Sequence, residues 1–294
     1  ILDKDDPIYK LKSIKNSKEI NHMIKAHMKD GLALTRFIFW IKNINKKIIT
    51  EVEAQNKLEK FRKLSKDYLF PSFNTIAGSG SNGAIVHYRA KTKTTKKINK
   101  KDILLVDSGG QYNYGTTDVT RTICFNNQKQ SIKNAYTNVL KGHIAVAVTN
   151  LNKDNNGQKI DVRARKFLKK EGLDYAHGTG HGVGFFLNVH EGPQSISKHN
   201  SIKIEKGMIL SNEPGYYKKN HFGIRIENLI YAKQLKNKLF FENLTFAPLE
   251  KDLINHKLLN KTEKDYLFRY NLNIYSKYSA SLNKKERKWL ASFI

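Results

Sequence analysis

Five residues in this sequence have the types and spacing to share a pair of divalent cations: Asp107, Asp118, His181, Glu213 and Glu227. Four carboxylates and one imidazole supply oxygen donors with a single nitrogen, and a carboxylate can bridge two ions. That mixture suits manganese, cobalt, zinc or iron better than an all-thiolate site would. Asp107 closes the apolar run Ile103-Leu104-Leu105-Val106, and Asp118 follows beyond Gly109-Gly110, so a hairpin turning at the two glycines would face the carboxylates toward each other. Along Ile224-Arg225-Ile226-Glu227, strand alternation puts Arg225 and Glu227 on one face and the isoleucines on the other. A buried acid and a buried base each require a partner. Any one of these carboxylates alone reads more simply as a cap or a solvated side chain; the set points to a site.

The segment Ala176-His177-Gly178-Thr179-Gly180-His181-Gly182-Val183-Gly184 sets two histidines four positions apart among alternating glycines. Glycine at that density argues against a helix and for a backbone that crowds against another chain segment. His190, in Val189-His190-Glu191-Gly192-Pro193, adds a third imidazole. A lone histidine is more often core or surface than ligand. Two in this setting, with a third close by, favour a site.

The elements that must position these residues can be read from periodicity. Residues 1–16 read as an extended lead-in containing Pro7. Ser17 reads as an N-cap, and apolar residues at helical spacing predict helices over about 18–44 and 50–66. Turns and short strands fill 71–89, and a hairpin-like pair spans 102–125. Helices are expected over about 128–150 and 159–171, Gly-rich strands and loops over 174–195, strands over 207–212 and 224–233, and a hairpin near 235–247. The tail, about 262–294, reads as helical. No internal repeat is visible.

Composition sets bounds. The chain has 294 residues, 39% of them hydrophobic, enough to bury a sizeable core. No apolar run reaches the roughly 18 residues that span a bilayer. The opening Ile-Leu-Asp-Lys-Asp-Asp has no signal-peptide pattern and lacks Met, so an upstream portion is expected. The single cysteine, Cys124, excludes an intrachain disulfide and is expected as a core residue within a strand. The formal charge of +27 is mostly lysine spread along the chain, with short clusters such as 91–101. That reads as a solvated basic surface rather than a dedicated nucleic-acid face.

As a set, these motifs resemble the M24 metallopeptidases, and within them the Xaa-Pro aminopeptidases (aminopeptidase P) of eukaryotic-cytosolic type. The resemblance is carried by Ser81-Asn82-Gly83-Ala84-Ile85-Val86-His87-Tyr88, Leu105-Val106-Asp107-Ser108-Gly109, Thr117-Asp118-Val119-Thr120-Arg121-Thr122 and the 177–184 segment. Phe186-Leu187-Asn188-Val189-His190-Glu191-Gly192-Pro193, Asn212-Glu213-Pro214-Gly215-Tyr216-Tyr217 and Gly223-Ile224-Arg225-Ile226-Glu227-Asn228 complete it. The two Asp stand eleven positions apart and the two Glu fourteen. The resemblance runs from about residue 8 to the C-terminus.

It implies an α+β pita-bread (creatinase/aminopeptidase) fold, an antiparallel curved sheet flanked by helices. It implies a catalytic domain over 1–247, with 1–16 leading in from upstream domains, and a helical C-terminal extension over 248–294 packed on it. Asp107, Asp118, His181, Glu213 and Glu227 would ligate two divalent ions, manganese first, with cobalt or zinc as alternatives. A metal-bridging hydroxide would attack the scissile carbonyl in the related enzymes, with Glu213 as proton shuttle. His87, His177 and His190 would line the substrate pocket and stabilise the oxyanion. Arg225 would hold Asp107 and the Tyr217 hydroxyl in place, and its loss is expected to lower activity with the fold intact. The expected substrates are peptides with proline second, in the cytoplasm, with no specific nucleic acid or membrane partner; a homodimer is left open. Two rival readings stand beside this one. The first is a methionine aminopeptidase or prolidase on the same fold. The second is a non-enzymatic binding protein, against which the full ligand set argues.

Overall fold

The computed structural model describes residues 6–44 and 48–294. Its first helix, α1 (Pro7–Ser13), has Pro7 in the opening turn, with Asp6 accepting from the Ile8 amide at 2.9 Å. Proline suits a first turn because its missing N–H would have no helical partner there. The lead-in expected to be extended is therefore largely helical where it is described; residues 1–5 lie outside the described residues. The next helix, α2 (Ser17–Lys42), is capped by Asn16, not by the expected Ser17. The Asn16 side chain accepts from the amides of Lys18 and Glu19, and Glu19 accepts from the Asn16 amide. This reciprocal arrangement satisfies amides that a helix start otherwise leaves bare. Thr50 and Glu53 do the same for α3 (Glu51–Arg62).

Strands β1 (Tyr68–Pro71), β2 (Ile76–Ser79), β3 (Ile103–Ser108), β4 (Gly110–Tyr112), β5 (Gly115–Thr116) and β6 (Val119–Cys124) follow, then helices α4 (Gln130–Ala147) and α5 (Gly157–Lys170). After β7 (Gly180–His181) and β8 (Ser195–Ile196) come β9 (Ile209–Asn212), β10 (Gly215–Lys218), β11 (Phe222–Arg225), β12 (Asn228–Leu235) and β13 (Lys238–Asn243). Helices α6 (Lys261–Tyr278) and α7 (Lys284–Phe293) close the chain. The paired strands are all antiparallel, with β3 between β2 and β6, and β12 between β9 and β13. Three expectations change. The tight turn near Gly109-Gly110 lies instead between β4 and β5, because the chain makes a small excursion to pair with β1 before β6 returns to β3. The strand expected over 224–233 breaks at Ile226-Glu227, where Glu227 leaves the ladder. The helical tail breaks between α6 and α7, where Asn283 caps a second helix.

Alternation then decides what faces what. Leu104, Val106, Val119 and Ile123, on one face of β3 and β6, pack against Leu34, Phe37, Ile38 and Ile41 of α2. Phe37, Ile38 and Ile41 of α2 are thus core. Burying each such aliphatic side chain stabilises by about 1.5–3 kcal/mol. The opposite face carries Asp107, directly across from Thr120. Likewise Ile224 and Ile226 enter a second core with Tyr136, Val139 and Leu140 of α4 and Ile274 of α6, which turns Arg225 and Glu227 the other way. Cys124 is buried in β6. Among the described residues no helix is long and apolar enough to cross a membrane.

A buried histidine in α4 makes the fold sensitive to acid. His143 Nδ1 lies 3.0 Å from the Asn212 carbonyl, and burial, then the charge of Arg121, lowers its pKa to about 3. Its unfolded value is about 6.5. Between those values the unfolded chain binds the proton and the native chain does not, so this contribution is complete above about pH 6.5 and is lost as pH falls from there. The expected slope approaches about 1.4 kcal/mol per pH unit. Denaturant midpoints at pH 7 and pH 5 for wild type and His143→Gln should diverge by that slope; parallel curves would exclude it.

Candidate active site

The site is assembled from five chain segments. Asp107 lies in β3, Asp118 just ahead of β6, His181 at the end of β7, Glu213 just after β9 and Glu227 between β11 and β12. All five line one cavity of about 520 Å³, together with His87, His177, His190 and Arg225. The glycines between the histidines permit this. A Cβ on Gly180 would stand 2.0 Å from the Ser211 carbonyl oxygen, and one on Gly182 2.0 Å from that of Glu191. No side chain fits either place, so the His181 segment can press against β9 and the His190 loop only with glycine there.

His181 Nε2 stands 3.4 Å from Asp118 Oδ2 and 3.4 Å from Glu213 Oε1, while its Nδ1 lies 3.0 Å from the Gly182 carbonyl. A carbonyl only accepts, so Nδ1 carries a proton and Nε2, the other ring nitrogen, points among carboxylates. Facing those anions, an unprotonated Nε2 is stable only with a cation between, and a metal ion supplies one. Polar atoms of Asp118, His181 and Glu227 lie within 4.8 Å of one another. Burial first, then Asp107 and Glu213, pushes the Asp118 carboxyl well above its ordinary range. Burial, then Asp118, does the same to Glu227. Among the described residues, Asp107 Oδ1 and Asp118 Oδ1 are buried without a hydrogen-bond partner. Crowded buried carboxylates, two orphan oxygens and an inward imidazole nitrogen form a donor set whose charge the buried Arg225 offsets only in part, and divalent cations fit it. Cys124, Glu250 and Asp252 also cluster, but Lys42 Nζ sits there, 2.7 Å from Glu250 and 3.2 Å from Asp252. That cluster already has its cation.

The surrounding shell is hydrogen-bonded. Arg225 donates to Asp107 Oδ2 at 2.7 Å, to the Tyr217 hydroxyl at 2.6 Å and to Thr120 Oγ1 at 3.1 Å. Thr120 donates to Glu227 Oε2 at 2.7 Å. Ser211 donates to Glu213 Oε1 at 2.9 Å and accepts from the His181 amide at 2.9 Å, which ties two candidate ligands together. Sequence reasoning singled out neither Thr120 nor Ser211. Alternation from Asp107 and Glu213 was the available signal, since each lies two residues from a candidate ligand or opposite one.

The three pocket histidines are not equivalent. His177 Nδ1 lies 2.7 Å from the Gly178 carbonyl, and Nε2 accepts from the Tyr217 hydroxyl at 2.9 Å. Both nitrogens are engaged, and His177 forms a wall of the cavity. Behind it, Arg165 donates to the His177 carbonyl at 2.7 Å and pairs with Asp161 at 2.7 Å. His190 stands edge-on to His181, with ring centroids 4.0 Å apart, and burial, then His181, lowers its pKa. It is therefore neutral near pH 7 and keeps one N–H. His87 lies on the exposed side of the cavity. The His190 loop is anchored by a buried ion pair, Lys15 Nζ to Glu191 at 2.9 Å.

Residues 21–234 match metallopeptidase family M24, and residues 237–292 match the C-terminal region of peptidase M24. The chain belongs to metallopeptidase family M24, and its fold is the pita-bread fold of that family. A Paracoccidioides brasiliensis (strain Pb03) protein named "Probable Xaa-Pro aminopeptidase P" is 44% identical over 97% of this chain and 49% of its own length. A Podospora anserina protein of the same name is 45% identical over 92% of this chain and 42% of its own length. Among solved structures, the X-prolyl aminopeptidase of Caenorhabditis elegans, described as a cytosolic enzyme with a di-nuclear active site, superposes with a TM-score of 0.93 at 34% identity. That match covers 98% of this chain and 49% of the nematode chain. Prolidase from Pyrococcus furiosus gives a TM-score of 0.70 at 28% identity, over 82% of this chain and 67% of the other. The chain thus spans about half the length of the curated relatives it matches.

Proposed function

We propose that the chain is the catalytic part of a metal-dependent aminopeptidase that hydrolyses the bond between the first residue of a peptide and a proline in second place. The observation that carries this reading is the placement of His181 Nε2 among crowded, buried carboxylates, with Asp107 Oδ1 and Asp118 Oδ1 unpartnered among the described residues. The names of the relatives support the choice of substrate. Asp107, Asp118, His181, Glu213 and Glu227 would hold two divalent ions, which we assign as manganese, with cobalt or zinc as alternatives. Bound there, such ions make a water nucleophilic near neutral pH and polarise the scissile carbonyl. Glu213, with one oxygen held by Ser211, relays the proton lost by the attacking water to the prolyl nitrogen as its bond to the acyl carbon breaks. His190 and His87 supply N–H donors to the oxyanion, and His177 with Tyr217 forms the wall. We assign residues 1–247 to the catalytic domain and 248–294 to an extension packed on it, and we place the protein in the cytoplasm. Peptides are its partners, with no specific nucleic acid.

Proline fits such a site because its nitrogen has no N–H to satisfy and its fixed φ leaves little entropy to lose on binding. With manganese added, kcat/KM for Ala-Pro-Ala is expected to exceed that for Ala-Ala-Ala by roughly 100-fold or more. Equal values, or preference for an N-terminal Met before a small residue, would move the assignment to a methionine aminopeptidase. Cleavage of Xaa-Pro dipeptides alone would move it to a prolidase, and absence of both metal and turnover to a binding protein.

A further inference from the structure

The cavity over the acidic cluster continues past its rim. A second hollow of about 280 Å³ adjoins it, and Asn74 and Arg89 line both. Gln55, Asn56 and Thr75 give the second hollow polar walls suited to a peptide backbone, and Lys91 adds a second cation beside Arg89. Its one acid, Glu59, is 2.7 Å from Lys63 and so is already paired. Arg89 and Lys91 are exposed, and among the described residues neither side chain makes an ion pair or hydrogen bond. An unpaired surface arginine is ordinary by itself. Arg89 differs in lining both hollows, the first of which also carries the buried carboxylates.

That polarity has a direction. In the aminopeptidase reading the scissile bond lies at the acidic cluster with a single residue before it, so the longer part of the peptide, beyond that bond, must run back toward the rim. We propose that the second hollow receives the C-terminal side of the peptide, and that Arg89, helped by Lys91, binds a carboxylate there. The substrate class is then short peptides with a free C-terminus, or with an acidic residue just beyond the proline. The inference rests on the aminopeptidase reading above.

The test compares Ala-Pro-Ala, Ala-Pro-Ala-amide and Ala-Pro-Asp-amide on wild type and Arg89→Gln, by KM with manganese and by calorimetric binding to the metal-free protein, where nothing is cleaved. In wild type, amidation is expected to weaken KM and affinity by about 3- to 10-fold, as for a partly exposed charge-assisted pair. In Arg89→Gln the acid-to-amide ratio falls toward one, Lys91 accounting for what remains. Because the acid-to-amide ratio is read, a general loss of activity or stability in the variant cancels. Restoration by Ala-Pro-Asp-amide extends the site to acidic side chains; its absence restricts the site to the terminal carboxylate. Equal affinity for acid and amide in wild type, an undiminished preference in Arg89→Gln, or no measurable binding overturns the inference. A ratio that depends on Arg89 without any cleavage sinks the aminopeptidase reading and leaves the carboxylate site standing.

Discussion

Replacing Asp118 by Asn is expected to stabilise the metal-free protein, destabilise it relative to wild type when divalent ions are present, and remove turnover. Asp118 is 4% exposed, and one of its oxygens is buried without a partner. Burial, with Asp107 and Glu213 nearby, already disfavours its ionised form. In chelator its negative charge is therefore a cost, and the near-isosteric amide removes the charge while its NH₂ gains carboxylate acceptors. The gain is on the order of 1–3 kcal/mol, the scale of an incompletely compensated buried charge. With metal present the sign reverses. A bound ion at 100 times its Kd adds about 2.7 kcal/mol to stability, and losing a ligand forfeits much of that. The fall in kcat is expected to exceed the roughly 10–100-fold typical of outer-shell changes. Denaturant midpoints with EDTA and with manganese, metal analysis and turnover of Ala-Pro-Ala read all three effects. Wild-type metal content with full activity, or a lower midpoint in EDTA, would rule out Asp118 as part of a cation site.

What the sequence made legible were the features governed by short-range rules. Period-two alternation put Ile224 and Ile226 in the core and Arg225 and Glu227 opposite them, and the glycine pattern around His181 announced a crowded backbone. The missed features depend on partners far away in the chain. Ser211 matters because β7 lies beside β9, which puts its hydroxyl between His181 and Glu213; its place two residues before Glu213 puts it on the same strand face, but only the packing of β7 brings His181 to it. Arg121 reads as a basic residue on a strand, yet it is 1% exposed and donates to the carbonyls of Glu227, Ala247 and Pro248. Lys15 looks like one of many surface lysines, but it meets Glu191 across 176 positions. The cap at Asn16 was missed for a different reason. Asn and Ser compete at adjacent positions, and only the return bond from Glu19 decides between them.

Arg225→Ala carries the largest expected effect on stability, because the side chain is buried as well as set against the acidic cluster. Arg225 is 2% exposed, and its guanidinium braces Asp107, Thr120 and Tyr217 at once. Truncation strips Asp107 Oδ2 of its donor, next to an Oδ1 that has none. Removing one partner of a buried pair typically costs about 3–5 kcal/mol, because the other charge stays buried alone. The Tyr217 hydroxyl, its pKa pushed up to about 12 chiefly by burial, remains protonated but loses the donor that orients it toward His177. Activity measured well below the melting point should fall by about 10–100-fold or more, with metal affinity falling alongside. Two controls separate a brace from a generic core residue. Arg225→Lys restores the charge without the planar fork, so it should recover part of the stability and little of the activity. Added divalent ions should shrink the stability deficit of Arg225→Ala, because they offset the charge left on Asp107. A deficit that ignores metal, or a variant within about 1 kcal/mol of wild type with unchanged kcat, would show that Arg225 does not hold the acidic cluster in place.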